Sequence, residues 1–181
     1  MKNNRKKLLL HICCAGCGAF VSQALKEEYD VSLFYSNSNI FPESEYVKRE
    51  DEVKMISEKY KLPLIIDSYQ HDIWLDTVKG LESEPEKGNR CYVCYEHRMI
   101  NVAKKAASMN FDFFSTTLSV SPFKIYRYIK EIGDKLASEY QISFYDQDYK
   151  KKDGFKKAAK LSCELKLYRQ NYCGCEFSRR D

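Results

Sequence analysis

Two rhythms alternate along the chain: short apolar runs, and longer stretches in which apolar residues recur every three or four positions. Leu8 to Ile12 is a short apolar run closed by a Cys/Gly segment, the pattern of a buried strand. Gly18 to Glu28 places Phe20, Val21, Ala24 and Leu25 on one face and predicts a helix. Val31 to Tyr35 predicts a second strand. Ser44 to Tyr60 has helical spacing through Tyr46, Val47, Val53, Met55 and Ile56, with glutamates in its early turns. Leu62 to Ile66 predicts a third strand, with Pro63 near its start, where a missing amide donor is tolerable. Asp72 to Gly80 predicts a short helix and Glu82 to Asn89 a polar loop. Tyr92 to Ser108 follows as a helix with Met99, Val102, Ala103 and Ala106 as its stripe. Phe111 to Thr116 predicts a fourth strand. Phe123 to Tyr140 predicts a helix opened by Ser121-Pro122, Ile142 to Tyr145 a fifth strand, and Gly154 to Leu165 a last helix. This alternation predicts an α/β fold, a mostly parallel sheet with helices on both faces.

The length of 181 residues suits one α/β domain spanning residues 1–181, large enough to bury a core without staples. No repeat, interdomain linker, Walker loop or GxGxxG loop interrupts it. The apolar runs are too short to span a bilayer, and no membrane partner is expected. Met1 to Lys7 is basic, but the apolar segment after it stops at Cys13, too short for a signal-peptide core. A cytoplasmic location is expected. The net charge of +4 is uneven. Residues 150–181 hold ten Lys or Arg against four Asp or Glu, a net +6 on a body of −2. That segment reads either as a surface for a polyanion or as a solvated helix face.

Seven of the eight cysteines fall in three tight groups: Cys13-Cys14 with Cys17, Cys91 with Cys94, and Cys173 with Cys175. In a reducing compartment such groups point to metal or catalysis rather than structural disulfides. Cys13 and Cys14 fall at the carboxyl end of the first strand, where parallel sheets bind ligands. The alternative is that they are small buried hydrophobes. Cys91-x-x-Cys94 opens a helix, beside Arg90, and fits zinc, iron–sulfur or dithiol chemistry equally. With Cys13 and Cys14 it supplies four thiolates, the count for a cubane cluster or a closed zinc site. A vicinal pair suits zinc poorly. Cys173-Gly174-Cys175 would close a strained, reducible disulfide ring; spare metal ligands are the other reading. Cys163, inside a helix, is expected to pack in the core.

Five blocks carry a further signal: His11-x-Cys13-Cys14-Ala15-Gly16-Cys17; Arg90-Cys91-x-x-Cys94-Tyr95-x-x-Arg98; Thr116-Thr117-Leu118-x-x-Ser121-Pro122-x-Lys124; Lys151-Lys152-Asp153-Gly154; and Tyr168-Arg169-Gln170-Asn171-Tyr172-Cys173-Gly174-Cys175-x-x-Ser178. Their order and content resemble the QueH-type epoxyqueuosine reductases across nearly the whole chain. The resemblance implies a Rossmann-like sheet of the nucleotide α-hydrolase (HUP) type, and reduction of the epoxide of epoxyqueuosine to queuosine at the wobble position of tRNA. It implies a [4Fe–4S] cluster held by Cys13, Cys14, Cys91 and Cys94, and a redox-active pair, Cys173 with Cys175. Cys17 is implied as a ligand to a second, mononuclear iron or to the cluster. The basic segment from about 150 to 181 would complete the site. Gly16 departs from the family, where proline is usual.

The chemistry suits these residues. Leaving an alkene where an epoxide stood takes two electrons and protons. A cluster passes electrons singly, and a dithiol stores two. Asp146, Asp148, Asp153 and Tyr172 are proton-donor candidates by type and proximity in sequence. The expected partners are tRNA carrying epoxyqueuosine and an unidentified electron donor. A zinc-stapled nucleic-acid-binding module without redox catalysis is the alternative. An ATP-using tRNA thiolation enzyme on a related fold is disfavoured by the missing phosphate loop after the first strand.

Overall fold

The computed structural model describes residues 5–179. The first four residues of the basic N-terminal stretch, and Arg180 and Asp181 of the basic C-terminal segment, lie outside the described residues. Strand β1 spans Lys7–His11, followed by helix α1 at Ala15–Leu25, β2 at Asp30–Tyr35 and α2 at Glu43–Tyr60. β3 (Leu64–Ile66), α3 (His71–Thr77), α4 (Asn89–Ser108) and β4 (Phe113–Thr116) come next. A 3₁₀ turn at Thr117–Val120 leads to α5 (Tyr126–Tyr140), β5 (Ser143–Phe144) and α6 (Gly154–Glu164), and a 3₁₀ turn at Glu176–Ser178 closes the order. The strands form one sheet in the order β3-β2-β1-β4-β5, and every pairing is parallel.

Period-two alternation in β1 divides the core. Leu8 and Leu10 face one side with Val21, Leu33, Val53 and Ala158; Leu9 faces the other with Phe34, Met99, Phe114 and Ile132. Helices therefore cover both faces, as the sequence predicts. No described helix is long and apolar enough to cross a membrane.

Three expectations are corrected. The fifth helix starts at Tyr126, not Phe123. Ser121 does cap a turn, its Oγ accepting from the Phe123 amide at 3.2 Å and its carbonyl from the Lys124 amide at 3.2 Å, and the chain is extended at Ile125 before the helix begins. The helix expected from Tyr92 begins instead at Asn89, because Glu84 Oε2 accepts the Asn89 amide at 3.0 Å and caps it. This puts Cys91 and Cys94 in its opening turns. Cys163 is exposed rather than packed in the core. The buried stripe of α6 is Gly154, Ala158 and Ser162, and Cys163 lies one position off it.

Two glycines fix the approach of the C-terminal part. A Cβ on Gly16 would overlap the Ser162 hydroxyl, so α1 and α6 close together here. Gly174 has φ +142°, a conformation open to glycine, and a Cβ there would come within 3.1 Å of Ile40.

Candidate active site

The neighbours of β1 run in opposite directions through the sequence, β2 on one side and β4 on the other, which leaves a crevice at the carboxyl ends of β1 and β4. His11 ends β1 and is fully buried there. Its Nδ1 lies 2.9 Å from Thr116 Oγ1, and its Nε2 lies 3.2 Å from both the Ser36 carbonyl and Asn37 Oδ1. Burial, then the nearby Arg98 charge, push the imidazole pKa down to about 3, so the ring is neutral. Asn37 donates to the Ile12 carbonyl at 2.8 Å and accepts from Arg98 Nη2 at 2.6 Å. This network holds Arg98, 2% exposed, under the crevice with its Nε lacking a partner among the described residues.

The thiols stand above it. The Cys13 sulfur lies 3.7 Å from Thr117 Oγ1, at the start of the turn after β4. Cys14 is the N-cap of α1 and is in hydrogen-bonding contact with Cys13 and Cys17. The bond with Cys14, then burial, raise the Cys13 thiol well above its usual range. At Cys14 the bond with Cys13 pulls down, but the bond with Cys17 and burial outweigh it and push the pKa up to about 11. Cys91 and Cys94, three apart, share one face of α4. Cys91 Sγ accepts the Lys87 amide at 3.2 Å. Burial raises Cys91 and pushes Cys94 up to about 12. Cys94 packs with Trp74, Val78 and Cys175.

The C-terminal strap brings in the third group. Arg49 of α2, 2% exposed and paired with Glu45 at 2.7 Å, donates to the Cys173 carbonyl at 3.0 Å. The Phe41 amide donates to the Gly174 carbonyl at 2.8 Å, and Tyr172 donates its hydroxyl to the Phe41 carbonyl at 2.6 Å. Lys124 Nζ donates to Cys173 Sγ at 3.0 Å. Burial pushes the Cys173 thiol up, but the charge and hydrogen bond of Lys124, joined by Arg98, bring it below its ordinary value. Burial holds the Cys175 thiol up. Cys173 interacts electrostatically with Cys13, Cys91, Cys94 and Cys175, so all three thiol groups meet around it. All eight cysteines are free thiols.

Cys13, Cys14, Cys17 and Cys173 line a cavity of about 240 Å³. Lys124, Tyr172 and Gln170 share its wall. Cys91, Cys94 and Cys175 are not part of that lining. Of the proton-donor candidates only Tyr172 reaches the cavity. Asp146 is held by Tyr126 and Lys130, Asp148 by Lys150, and Asp153 by Lys156. Sequence reading assigned no role to Arg49, Arg98 or Lys124. The last two stand inside the motif blocks, a usable signal; Arg49 sits in the charge run Lys48 to Glu52 and gives none.

The donor set fits an anionic iron–sulfur cluster. Four thiols sit at the starts of α1 and α4, where helix dipoles favour negative charge, with Arg98 and Lys124 as counter-cations and one buried Arg98 N–H unsatisfied. Among the described residues no three His, Cys, Asp or Glu side chains are grouped as a ready-made site for a single metal ion.

A parallel sheet of this order with thiols gathered at its switch point defines a Rossmann-like α/β protein. Two solved structures share the fold. The U34-tRNA thiolase NcsA from Methanococcus maripaludis with its [4Fe-4S] cluster superposes with a TM-score of 0.59 at 14% identity, over 98% of this chain and 63% of that one. A predicted subunit of tRNA methyltransferase from Methanocaldococcus jannaschii gives 0.58 at 11% identity, over 84% of this chain and 74% of that one. Within that class the chain belongs to one family, "Epoxyqueuosine reductase QueH", whose profile matches residues 8–181. It is similar to the epoxyqueuosine reductase QueH of Acinetobacter baylyi, 38% identical over 100% of this chain and 84% of the relative. It is also similar to that of Thermotoga maritima, 32% identical over 94% of this chain and 89% of the relative.

Proposed function

We propose that this chain reduces the epoxide of epoxyqueuosine in tRNA to the alkene of queuosine. The observation that carries the reading is Cys173, which stands in the cavity wall, interacts electrostatically with Cys13, Cys91 and Cys94, and has Lys124 3.0 Å from its sulfur. Cys13, Cys14, Cys91 and Cys94 would hold a [4Fe–4S] cluster, with Cys17 a further ligand to the cluster or to a second iron. When bound, these centres supply single electrons and Lewis acidity.

The residues of the chain supply the rest. Oxidation of Cys173 and Cys175 to a disulfide releases two electrons and two protons. Loss of the epoxide oxygen as water, leaving an alkene, consumes two of each, so one dithiol balances one turnover. The pair is asymmetric: Lys124 favours the thiolate at Cys173, while the buried Cys175 keeps its proton. Lys124 also holds a proton at Nζ beside the reacting sulfur. An electron donor must re-reduce the disulfide. The basic segment from about 150 to 181 contributes the strap and a surface for tRNA, within one α/β domain working in the cytoplasm.

The test is an anaerobic assay. Reconstituted protein is incubated with epoxyqueuosine-containing tRNA and a strong reductant, and nucleosides are analysed by mass. Queuosine formation is expected; its absence with an iron-loaded protein would overturn the reading. Colourless protein with stoichiometric zinc would favour the zinc-stapled module instead.

A further inference from the structure

We infer that Phe123 and Phe155 form a stacking platform for an unpaired RNA base next to the nucleoside that enters the cavity, an inference that rests on the tRNA-directed reading above. Both rings line the cavity, yet Phe123 is 62% exposed and Phe155 36%. They meet edge to face, centroids 6.5 Å apart at 89°. Neither belongs to a buried core cluster or its packed fringe. They come from separate places, Phe123 from the turn before α5 and Phe155 from the first turn of α6.

Size and charge identify the occupant. A cavity of about 240 Å³ falls below the roughly 300–1,000 Å³ of ordinary small-molecule sites. It can take one modified nucleoside group and leaves the flanking nucleotides of a loop on the rim, where the rings are. In sequence Phe155 is flanked by Lys151, Lys152, Lys156 and Lys157, all exposed, and Arg169 lines the same cavity. Lys151, Lys152 and Lys157 make no ion pair among the described residues. An exposed π face beside phosphate-seeking ammonium groups is how proteins bind single-stranded nucleic acid.

The test uses an anticodon stem-loop RNA with 2-aminopurine flanking the modified position, bound to iron-loaded wild type and to the F123L, F155L and F123Y variants. Wild type and F123Y should quench the fluorophore, since both keep a ring. F123L and F155L should lose the quench and weaken binding by about 5- to 150-fold, the ~1–3 kcal/mol of one stacked base. In the reduction assay their KM should rise more than kcat falls. Phe123 is largely exposed, Phe155 is partly so, and neither belongs to a core cluster, so melting temperature and iron content should stay at wild type. Unchanged affinity and quench in both leucine variants would overturn the platform. So would light scattering in which wild type self-associates and the leucine variants become monomers with RNA affinity intact. If wild type fails to reduce the tRNA but the quench pattern holds, the reductase reading fails and the platform stands. If wild type reduces the tRNA normally and the leucine variants are indistinguishable from it, the platform fails and the reductase reading stands.

Discussion

Lys124 Nζ donates a hydrogen bond to Cys173 Sγ at 3.0 Å, across 49 residues of sequence. Lys124 reaches it from the turn before α5, ahead of the helix rather than on its first turn. The contact ties the wall of the cavity to the strap and, with the Arg98 charge, brings the Cys173 thiol below its ordinary value while burial holds Cys175 up, the asymmetry the proposed redox pair would use.

Replacing Lys124 with Met should therefore impair turnover without removing the metal. A charge-assisted hydrogen bond is worth about 1.5–3 kcal/mol, so kcat should fall roughly 10- to 100-fold. Iron content and cluster absorbance should match wild type, and Arg at this position should restore part of the rate. Unaltered kcat in Lys124→Met would detach this ammonium group from the chemistry.

The metal centre should depend on both ends of the constellation. Cys14→Ala and Cys91→Ala should each strip the cluster absorbance, since three thiolates hold a cubane less firmly than four. Iron quantification and visible spectra of anaerobically purified variants decide it. Wild-type iron and spectrum in both would refute the ligand assignment.

Cys173→Ser and Cys175→Ser should keep iron but lose turnover, because thiol–disulfide exchange needs both sulfurs. Single-turnover assays with parallel iron analysis separate this role from ligation. Iron lost in step with activity would make the two cysteines ligands.

The basic segment should carry tRNA affinity. Lys151 and Lys152 are exposed ahead of α6, and changing both to Glu should weaken tRNA binding. The salt dependence should flatten by about one unit of log–log slope per lost phosphate contact. Titration of wild type and double mutant over a range of salt measures both quantities. An unaltered slope would mean that the tRNA meets another face.

Much of this protein was determined locally. Leu8 to Ile12, Val31 to Tyr35 and Tyr92 to Ser108 reveal their elements because burial in a strand or helix imposes a period of two or 3.6 on apolar residues, and that period survives in the sequence. The three thiol groups were legible for the same reason: each is compact along the chain. Cys163 was misread, since one position of phase on α6 separates its buried stripe from solvent. Asp146, Asp148 and Asp153 were near the strap in sequence, but side-chain ion pairs turn them elsewhere. Tertiary structure alone decided that Arg49, inside a run of charges, is buried to hold the Cys173 carbonyl. It also brought Arg98 and Lys124 to the sulfurs from elements far apart in the chain. A lone charge has no period. Its role depends on which distant group it meets, and only the packing of α2, α4 and the stretch before α5 around the switch point fixes that partner.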